Sequence, residues 1–413
     1  MTVEEARELL LARVSVLEPE RVGLLDALGR VLAEPAVSDI DVAPFDNSAM
    51  DGYALRSEDC RGATPDTPCE LEVVAHIAAG EEWAGRLAAR QAARIMTGAP
   101  LPAGADAVVM VEFTRALADG GGAGGRVAIE REPAAGEHVR RRGEEVRAGE
   151  VVVAPGDVLG PAAVGLLAAT GHAEVAVRRR PRVAVLSTGS ELVEVAESPG
   201  PGKIRNSNSY SIAAQVLAAG GVPLRYPIVP DEPEATRAAF LLAAEEADFI
   251  ATSGGVSVGD FDYVRPVLEE IGELTFCKVA MRPGNPQTMG AVAGVPFFGL
   301  PGNPTSTYVG FEVFVRPALL KMAGRGALDR PAVTARLAHD VKKKQDRRYY
   351  LRARLARAED GAYEVALSGS QSSALLTAAH LGNCFMVLPE GAGAFAAGSE
   401  VTCMRLDIEE GTP

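Results

Sequence analysis

Residues Ala247–Val264 read ADFIATSGGVSVGDFDYV, and the way this stretch divides decides the fold. Its apolar start, bounded by turn-formers, reads as a buried strand. The thirteen residues from Thr252 then hold three glycines, three aliphatic hydroxyls and two aspartates, more polar chemistry than a corner needs. Outward from it the pattern repeats. RVAVLS (182–187), PLRYPIV (223–229), LTFCKVAM (274–281) and VPFFGL (295–300) read as further strands. SYSIAAQVLAAGG (209–221), EPEATRAAFLLAAEEA (232–247), YVRPVLEEIG (263–272) and TSTYVGFEVFVRPALLKMAG (305–324) read as helices. Strands alternating with helices imply βαβ units, hence an open, mostly parallel α/β sheet covered on both faces. Ligands of such sheets bind outside the carboxyl ends of the strands.

Three loops fall at that edge: LSTGSEL (186–192), TSGGVSVGDFD (252–262) and GLPGNPTST (299–307). Glycines let the backbone turn its N–H groups toward an anion, and hydroxyls add donors. Thr188, Gly189, Ser253, Gly254, Gly255, Ser257, Pro301, Gly302 and Asn303 are the candidates for that role. Asn303 and Pro304 also open a helix, whose N-terminus favours phosphate. The carboxylates Glu191, Asp260 and Asp262 lie among these donors and would repel a phosphate without a cation between them, for which Mg²⁺ is the usual choice. The three loops together point to a metal-bound phosphate or pyrophosphate; taken singly, each also reads as a tight strand–helix turn. Asp231 reads locally as an N-cap with Glu234 three residues on.

Composition bounds the rest. The chain has 413 residues, 47 % apolar and 23 % charged, enough for several domains of ordinary globular type. Its net charge of −14 argues against nucleic acid and against an anionic membrane surface as partners. Five cysteines with no C-x-x-C pair suggest reduced thiols and a cytoplasmic location. The first residues, MTVEEARELLLARV, form a helix with Thr2 and Glu5 in capping-box positions and lack the basic start of a signal peptide. Residues 20–34 read as a second short helix, and 45–142 as short β runs with a hairpin tip at 118–125. GPAAVGLLAATG (160–171) reads as a helix closed by Gly171. Residues 328–413 turn β-like again, as a small barrel or sandwich.

FDNSAMDGYA (45–54), RIMTGAPLPAGADAVVMVE (94–112), RRRGEEV (140–146) and the three loops occur in an order that resembles the molybdopterin molybdenumtransferase family, bacterial MoeA and the related C-terminal part of gephyrin. The resemblance covers nearly the whole chain. It implies an elongated homodimer of four-domain subunits: 1–18 with 179–327 as the α/β molybdopterin-binding domain, 19–45 with 143–178 as a linking domain, 46–142 as a β-rich domain, and 328–413 as a C-terminal β-barrel. It implies Mg²⁺-dependent insertion of molybdate into adenylylated molybdopterin with release of AMP, and an adenylyltransferase as a possible protein partner. The active site would lie between the α/β and terminal domains of one subunit and the β-rich domain of the other.

By the same resemblance Asp51 and Thr97 act in the partner's site, and Glu145 stands where the family usually has aspartate. Glu191, Asp231 and Asp262 match the carboxylates around phosphate, with Glu191 and Asp262 as Mg²⁺ ligands. Lys278, Arg282, Asn285, Ser306, Arg352 and Ser373 match molybdate-binding positions. The departures cluster: KVAMRPGNP (278–286) keeps Lys278 but has Arg282 and Asn285 where the family has lysines, and Ser190 replaces a frequent aspartate. An adenylyltransferase and a non-catalytic scaffold on the same fold are the competing readings. The β-rich and terminal domains argue against the first, and the retained carboxylates against the second.

Overall fold

The structure is a computed structural model that describes residues 1–117, 122–254, 264–391 and 393–411. Its central sheet has six strands in the order Val222–Arg225, Arg182–Ser187, Phe249–Ser253, Val295–Leu300, Pro286–Val292 and Gly272–Lys278. The first four run parallel, and the last two join antiparallel. Strand alternation sends Val183, Val185, Phe249, Ala251 and Phe298 into one core with Leu10, Ile212 and Phe314. Ala184, Leu186, Ile250 and Phe297 enter a second core with Phe240 and Leu268. Both faces are therefore covered, as an apolar parallel sheet requires. The N-terminal helix Val3–Ala12 carries both capping-box bonds and reaches the first of these cores through Val3, Ala6 and Leu10.

Register decides where the site falls. Leu186, Thr252 and Gly299 stand side by side, followed by Ser187, Ser253 and Leu300. The three loops therefore leave the sheet at one level.

The strand Pro286–Val292 is absent from the sequence reading. It returns through Ala293 and Gly294, both at positive φ, a two-residue hairpin whose signal is weak because alanine seldom occupies that position. The last long helix is also divided. A π-helical turn, Phe311–Val315, separates the helices Pro304–Gly310 and Arg316–Met322.

Residues 20–34 correct the helical reading. Pro19–Gly23 is a strand paired with Glu174–Arg178, and turns follow it. The pairing spans some hundred and fifty residues, which no local periodicity reports. Ala36–Val37 pairs with Val151–Val153, and the helix Pro161–Ala169 ends through Thr170 with Gly171 in the left-handed conformation. A second six-stranded sheet is built from Gly52–Leu55, Cys69–Ile77, Gln91–Ile95, Ala107–Met110, Thr114–Ala116 and Arg126–Ile129. Its last two strands pair antiparallel on either side of the glycine-rich 118–125 segment, of which 118–121 lie outside the described residues.

The C-terminal strands close on themselves: Arg348–Arg357, Tyr363–Leu367, Ala332–Leu337, Glu400–Arg405, Cys384–Leu388 and back to the first. This is a barrel, not a sandwich. Met281–Arg282 adds to its rim beside Arg348 and Tyr349, which ties it to the α/β sheet. Among the described residues no helix is long and apolar enough to cross a membrane.

Candidate functional site

The parallel strand ends meet the helix Ser207–Ala218. Asn206 caps that helix by accepting from the Ser209 amide at 3.3 Å. Two residues on, the Asn208 carboxamide donates to Ser253 Oγ at 2.6 Å and to the Gly302 carbonyl at 2.8 Å. One side chain thus bridges the second and third loops. The first loop is held by backbone: Thr188 N–H donates to the Ser253 carbonyl at 3.3 Å, and Gly254 N–H to the Leu300 carbonyl at 3.3 Å. Gly254 has φ +90°, and a Cβ there would stand 2.7 Å from the Thr188 carbonyl oxygen. Only glycine satisfies both constraints.

A cavity of about 60 Å³ results, lined among others by Ser187, Thr188, Glu191, Asn206, Asn208, Ser253, Gly254 and Gly302. Ser187 Oγ, Asn206 Nδ2 and Asn208 Oδ1 are buried around it without a partner among the described residues. An unpaired buried polar atom costs about 1–3 kcal/mol. Several at one strand edge mark a place made for a polar ligand. Glu191 curls back toward Gly189, and Asp231 accepts from Ser190 N–H at 2.8 Å and from its hydroxyl at 2.7 Å. Asp231 is therefore not the N-cap: the helix Pro233–Glu246 begins after Glu232, with no side-chain cap bond. Ser190, the departure from aspartate, holds Asp231 against the loop that carries Glu191. Gly255, Ser257, Asp260 and Asp262 lie outside the described residues.

The helix beginning at Pro304 gives its Thr305 amide to the Ser373 carbonyl at 2.9 Å, and the Thr305 hydroxyl to the Leu375 carbonyl at 2.8 Å. That end of the helix is thus partly taken up in docking the barrel loop rather than left open for phosphate. The same loop leads to Arg352. This guanidinium is 1 % exposed, has weak bonds to the Ser372 and Tyr350 carbonyls, and leaves Nε without a partner. No carboxylate faces it among the described residues. Burial, and then the charge of Arg282, push its pKa down to about 10. Arg282 lies over the Tyr349 ring at 5.3 Å, with Lys343 on that ring at 5.4 Å. An oxyanion is the complement of this arrangement.

The remaining candidates fall elsewhere. Ser306 is buried in its helix, and Lys278 is exposed at the end of its strand. Asn285 donates to the Val279 carbonyl at 2.6 Å, closing its own loop. Asp51 accepts from both the Thr97 amide, at 2.7 Å, and the Thr97 hydroxyl, at 2.8 Å, and the amide first holds its carboxyl below the usual range. This pair is exposed on the β-rich sheet, and neither residue lines the cavity. Glu145 is exposed with no side-chain partner among the described residues. Sequence reading missed Ser187, Asn206 and Asn208. An Asn two residues before a Ser, at the head of an apolar-periodic run, was an available helix-start signal.

A cavity at the carboxyl edge of an α/β sheet, adjoining a barrel that buries a cation with no carboxylate among the described residues, defines a multidomain α/β-plus-barrel class whose site suits a polar, anionic ligand. Comparison gives the family. Residues 1–171 match the MoeA N-terminal region (domain I and II), 184–321 a probable molybdopterin binding domain, and 334–406 the MoeA C-terminal region (domain IV). The molybdopterin molybdenumtransferase of Bacillus subtilis is 37% identical over 396 residues, 96% of this chain and 91% of that protein. That of Staphylococcus aureus (strain COL) is 38% identical over 400 residues, 97% of this chain and 94% of that protein. The solved molybdopterin biosynthesis MoeA protein from Pyrococcus horikoshii superposes with a TM-score of 0.81 at 30% identity, covering 98% of this chain and 99% of that one. The chain belongs to the molybdopterin molybdenumtransferase (MoeA) family, and with it to the enzymes of molybdenum cofactor biosynthesis.

Proposed function

We propose that the protein inserts molybdate into adenylylated molybdopterin with release of AMP, as a Mg²⁺-dependent cytoplasmic homodimer. The observation that carries this reading is the joining of two polar sites by one loop. The cavity with unpaired Ser187, Asn206 and Asn208 atoms suits the substrate's polar backbone. The buried Arg352, one loop away through Ser372, Ser373 and Thr305, suits molybdate.

The donor set fits magnesium. That ion takes oxygen ligands and commonly only one or two carboxylates, the rest being water and substrate phosphate. Two carboxylates, Glu191 and Asp262, with phosphate and water completing the shell, are a donor set of that kind. Glu191 and Asp262 would hold the ion, which would neutralise phosphate charge. Asn208 fixes the spacing of the second and third loops, Asp231 fixes the first through Ser190, and Arg352 with Arg282 orients the oxyanion. The exposed Asp51–Thr97 pair stands apart from its own chain's cavity, which supports its serving a second subunit. The exposed apolar side chains Leu25, Ile40, Phe45 and Val151 give that subunit a surface to cover. All five cysteines are free, in keeping with a reducing compartment.

The test is reconstitution: purified protein, adenylylated molybdopterin, Mg²⁺ and molybdate, with AMP and pterin-bound molybdenum measured. AMP released only with molybdate, together with metal on the pterin, supports the reading. Tight substrate binding without turnover at high molybdate overturns it in favour of a scaffold. AMP made from ATP and molybdopterin would instead mark an adenylyltransferase.

Asp262→Ala should remove most Mg²⁺-dependent AMP release while leaving the melting curve in place; full activity in the folded variant takes Asp262 out of the mechanism. Asn285→Lys gives up the bond to the Val279 carbonyl and returns the positive charge that the family resemblance implies beside Arg282; it should tighten molybdate about tenfold, since a charge-assisted hydrogen bond is worth about 1.5–3 kcal/mol. A side-by-side titration showing equal affinity would refute that expectation.

A further inference from the structure

Away from this site, a cavity of about 220 Å³ lies where residues 28–31, the end of the strand Glu174–Arg178, the end of the helix Ser207–Ala218 and the C-terminal tail meet. Its lining includes five arginines (Arg30, Arg178, Arg180, Arg316 and Arg325) and the carboxylates Glu409 and Glu410. In a chain of net charge −14, such a cluster does not follow from composition.

Two of these cations are already neutralised. Arg30 is paired with Glu20, and Arg316 donates through both arms to Glu410, at 2.6 and 2.9 Å. The other three have no carboxylate among the described residues. Arg178 donates to the Leu17 carbonyl at 3.3 Å and Arg325 to the Gly29 carbonyl at 2.7 Å, which leaves most of their N–H groups free. Arg180 is exposed and has no side-chain partner among the described residues. Glu409, which forms no ion pair among the described residues and lies within electrostatic reach of Arg316, is the carboxylate that opposes the three.

Three guanidinium groups that share one cavity, outnumbering its carboxylates and without an ion pair among the described residues, match an oxyanion in sign, and their planar forks suit its geometry. Size narrows the ligand. The volume is room for several waters. It is smaller than the roughly 300 Å³ at which pockets for drug-sized ligands begin. Phosphate or a small phosphate monoester fits with its hydration. We propose that this cavity is a second anion site, which takes inorganic phosphate or a small phosphate monoester on Arg178, Arg180 and Arg325. A bound anion joins the strand Glu174–Arg178 to the chain leaving the helix Arg316–Met322, and so fixes how the residues around Arg30 sit on the α/β sheet.

The experiment is calorimetric titration of the full chain with inorganic phosphate at constant ionic strength. It is run without Mg²⁺ in the Arg352→Gln variant, which silences the barrel's oxyanion site and leaves the carboxylate-flanked strand-end loops without the cation that phosphate needs there. One saturable site per chain is expected. Adding Arg180→Gln should lower its affinity about tenfold or more. Because Arg180 and Glu409 are exposed, their substitution leaves the fold intact. Glu409→Gln, made in the otherwise unaltered chain, should tighten binding severalfold by removing the opposing charge. Loss of all phosphate binding with Arg352→Gln in a chain that still melts cooperatively, or indifference to both the Arg180 and Glu409 changes, overturns the proposal. A phosphate monoester that competes with phosphate identifies the esterified form as the ligand, and failure to compete assigns the site to the free ion.

Discussion

Arg352→Met is expected to raise the unfolding temperature while abolishing oxyanion binding and turnover. The two effects have one cause. Arg352 is 1 % exposed, with no carboxylate among the described residues and Nε unpaired. Its pKa falls to about 10, well below the usual arginine range, chiefly through burial. At 1.36 kcal/mol per pH unit, the charged form costs the folded state roughly 3 kcal/mol. The sign is fixed by which state binds the proton more weakly. Here it is the folded one, so the cost is present in full below pH 10 and fades only as pH rises above that, toward the usual arginine range. Near neutrality it is a constant penalty that an oxyanion would relieve. Methionine fills a similar volume without charge, and replacing buried ions by apolar groups is often stabilising by about 1–4 kcal/mol. A rise of a few degrees is therefore expected, less whatever the weak bonds to Ser372 and Tyr350 contribute. Turnover should drop by about a hundredfold or more, the scale of losing one preorganised electrostatic contact. Melting curves with and without molybdate provide the check. Wild type should be stabilised by molybdate, and the variant should start higher and not respond. A variant that melts lower yet still turns over would make Arg352 a structural residue.

The burial of Arg352 shows where sequence reading stops. In RYYLRARLAR, alternation places Tyr349, Leu351, Ala353 and Leu355 inside the barrel and Arg352 on its outer face, where a solvated arginine is the ordinary outcome. It is buried because the α/β domain docks on that face, with Tyr308 and Tyr350 both edge-on to Phe385. No local pattern encodes such docking. By contrast, the strand RVAVLS was legible to the residue, because a short apolar run between turn-formers has few alternatives. Leu24, Leu25, Ala27, Leu28 and Val31 imitated helical spacing, yet the preceding strand was claimed by Glu174–Arg178. Within the site, the glycine and hydroxyl loops stood out, since their composition is itself the signal. Asn208 did not, because its importance lies in reaching two loops that are distant in sequence.

Gly254→Ala should remove substrate binding and turnover together, at a modest cost in stability. The residue closes the strand Phe249–Ser253 with φ +90°, and a Cβ would come to 2.7 Å from the Thr188 carbonyl oxygen and 3.3 Å from its hydroxyl. The nearer obstacle is backbone, so no rotamer change relieves it. Strained positions of this kind cost about 1–3 kcal/mol, within what a chain of this size can absorb. The damage falls instead on geometry. Gly254 is bonded to Leu300 and its neighbour Ser253 to Thr188, so relief of the clash must separate the first loop from the second. Glu191 and the unpaired Ser187 hydroxyl would then leave their places around the cavity. Displacements of about 1 Å at a reacting centre cost on the order of a hundredfold, and here several groups move at once. Gly302→Ala is the matched control. Its φ is not positive, and the added Cβ would lie 4.0 Å from Gly254 Cα, an ordinary contact. Its melting temperature should stay at the wild-type value. Melting curves separate the two variants, and AMP release and binding of adenylylated molybdopterin are read on Gly254→Ala, since Gly302 itself lines the cavity. A Gly254→Ala protein that still binds substrate at wild-type strength would mean that the first loop moves independently of the second, and that the cavity between them is not where the substrate is held.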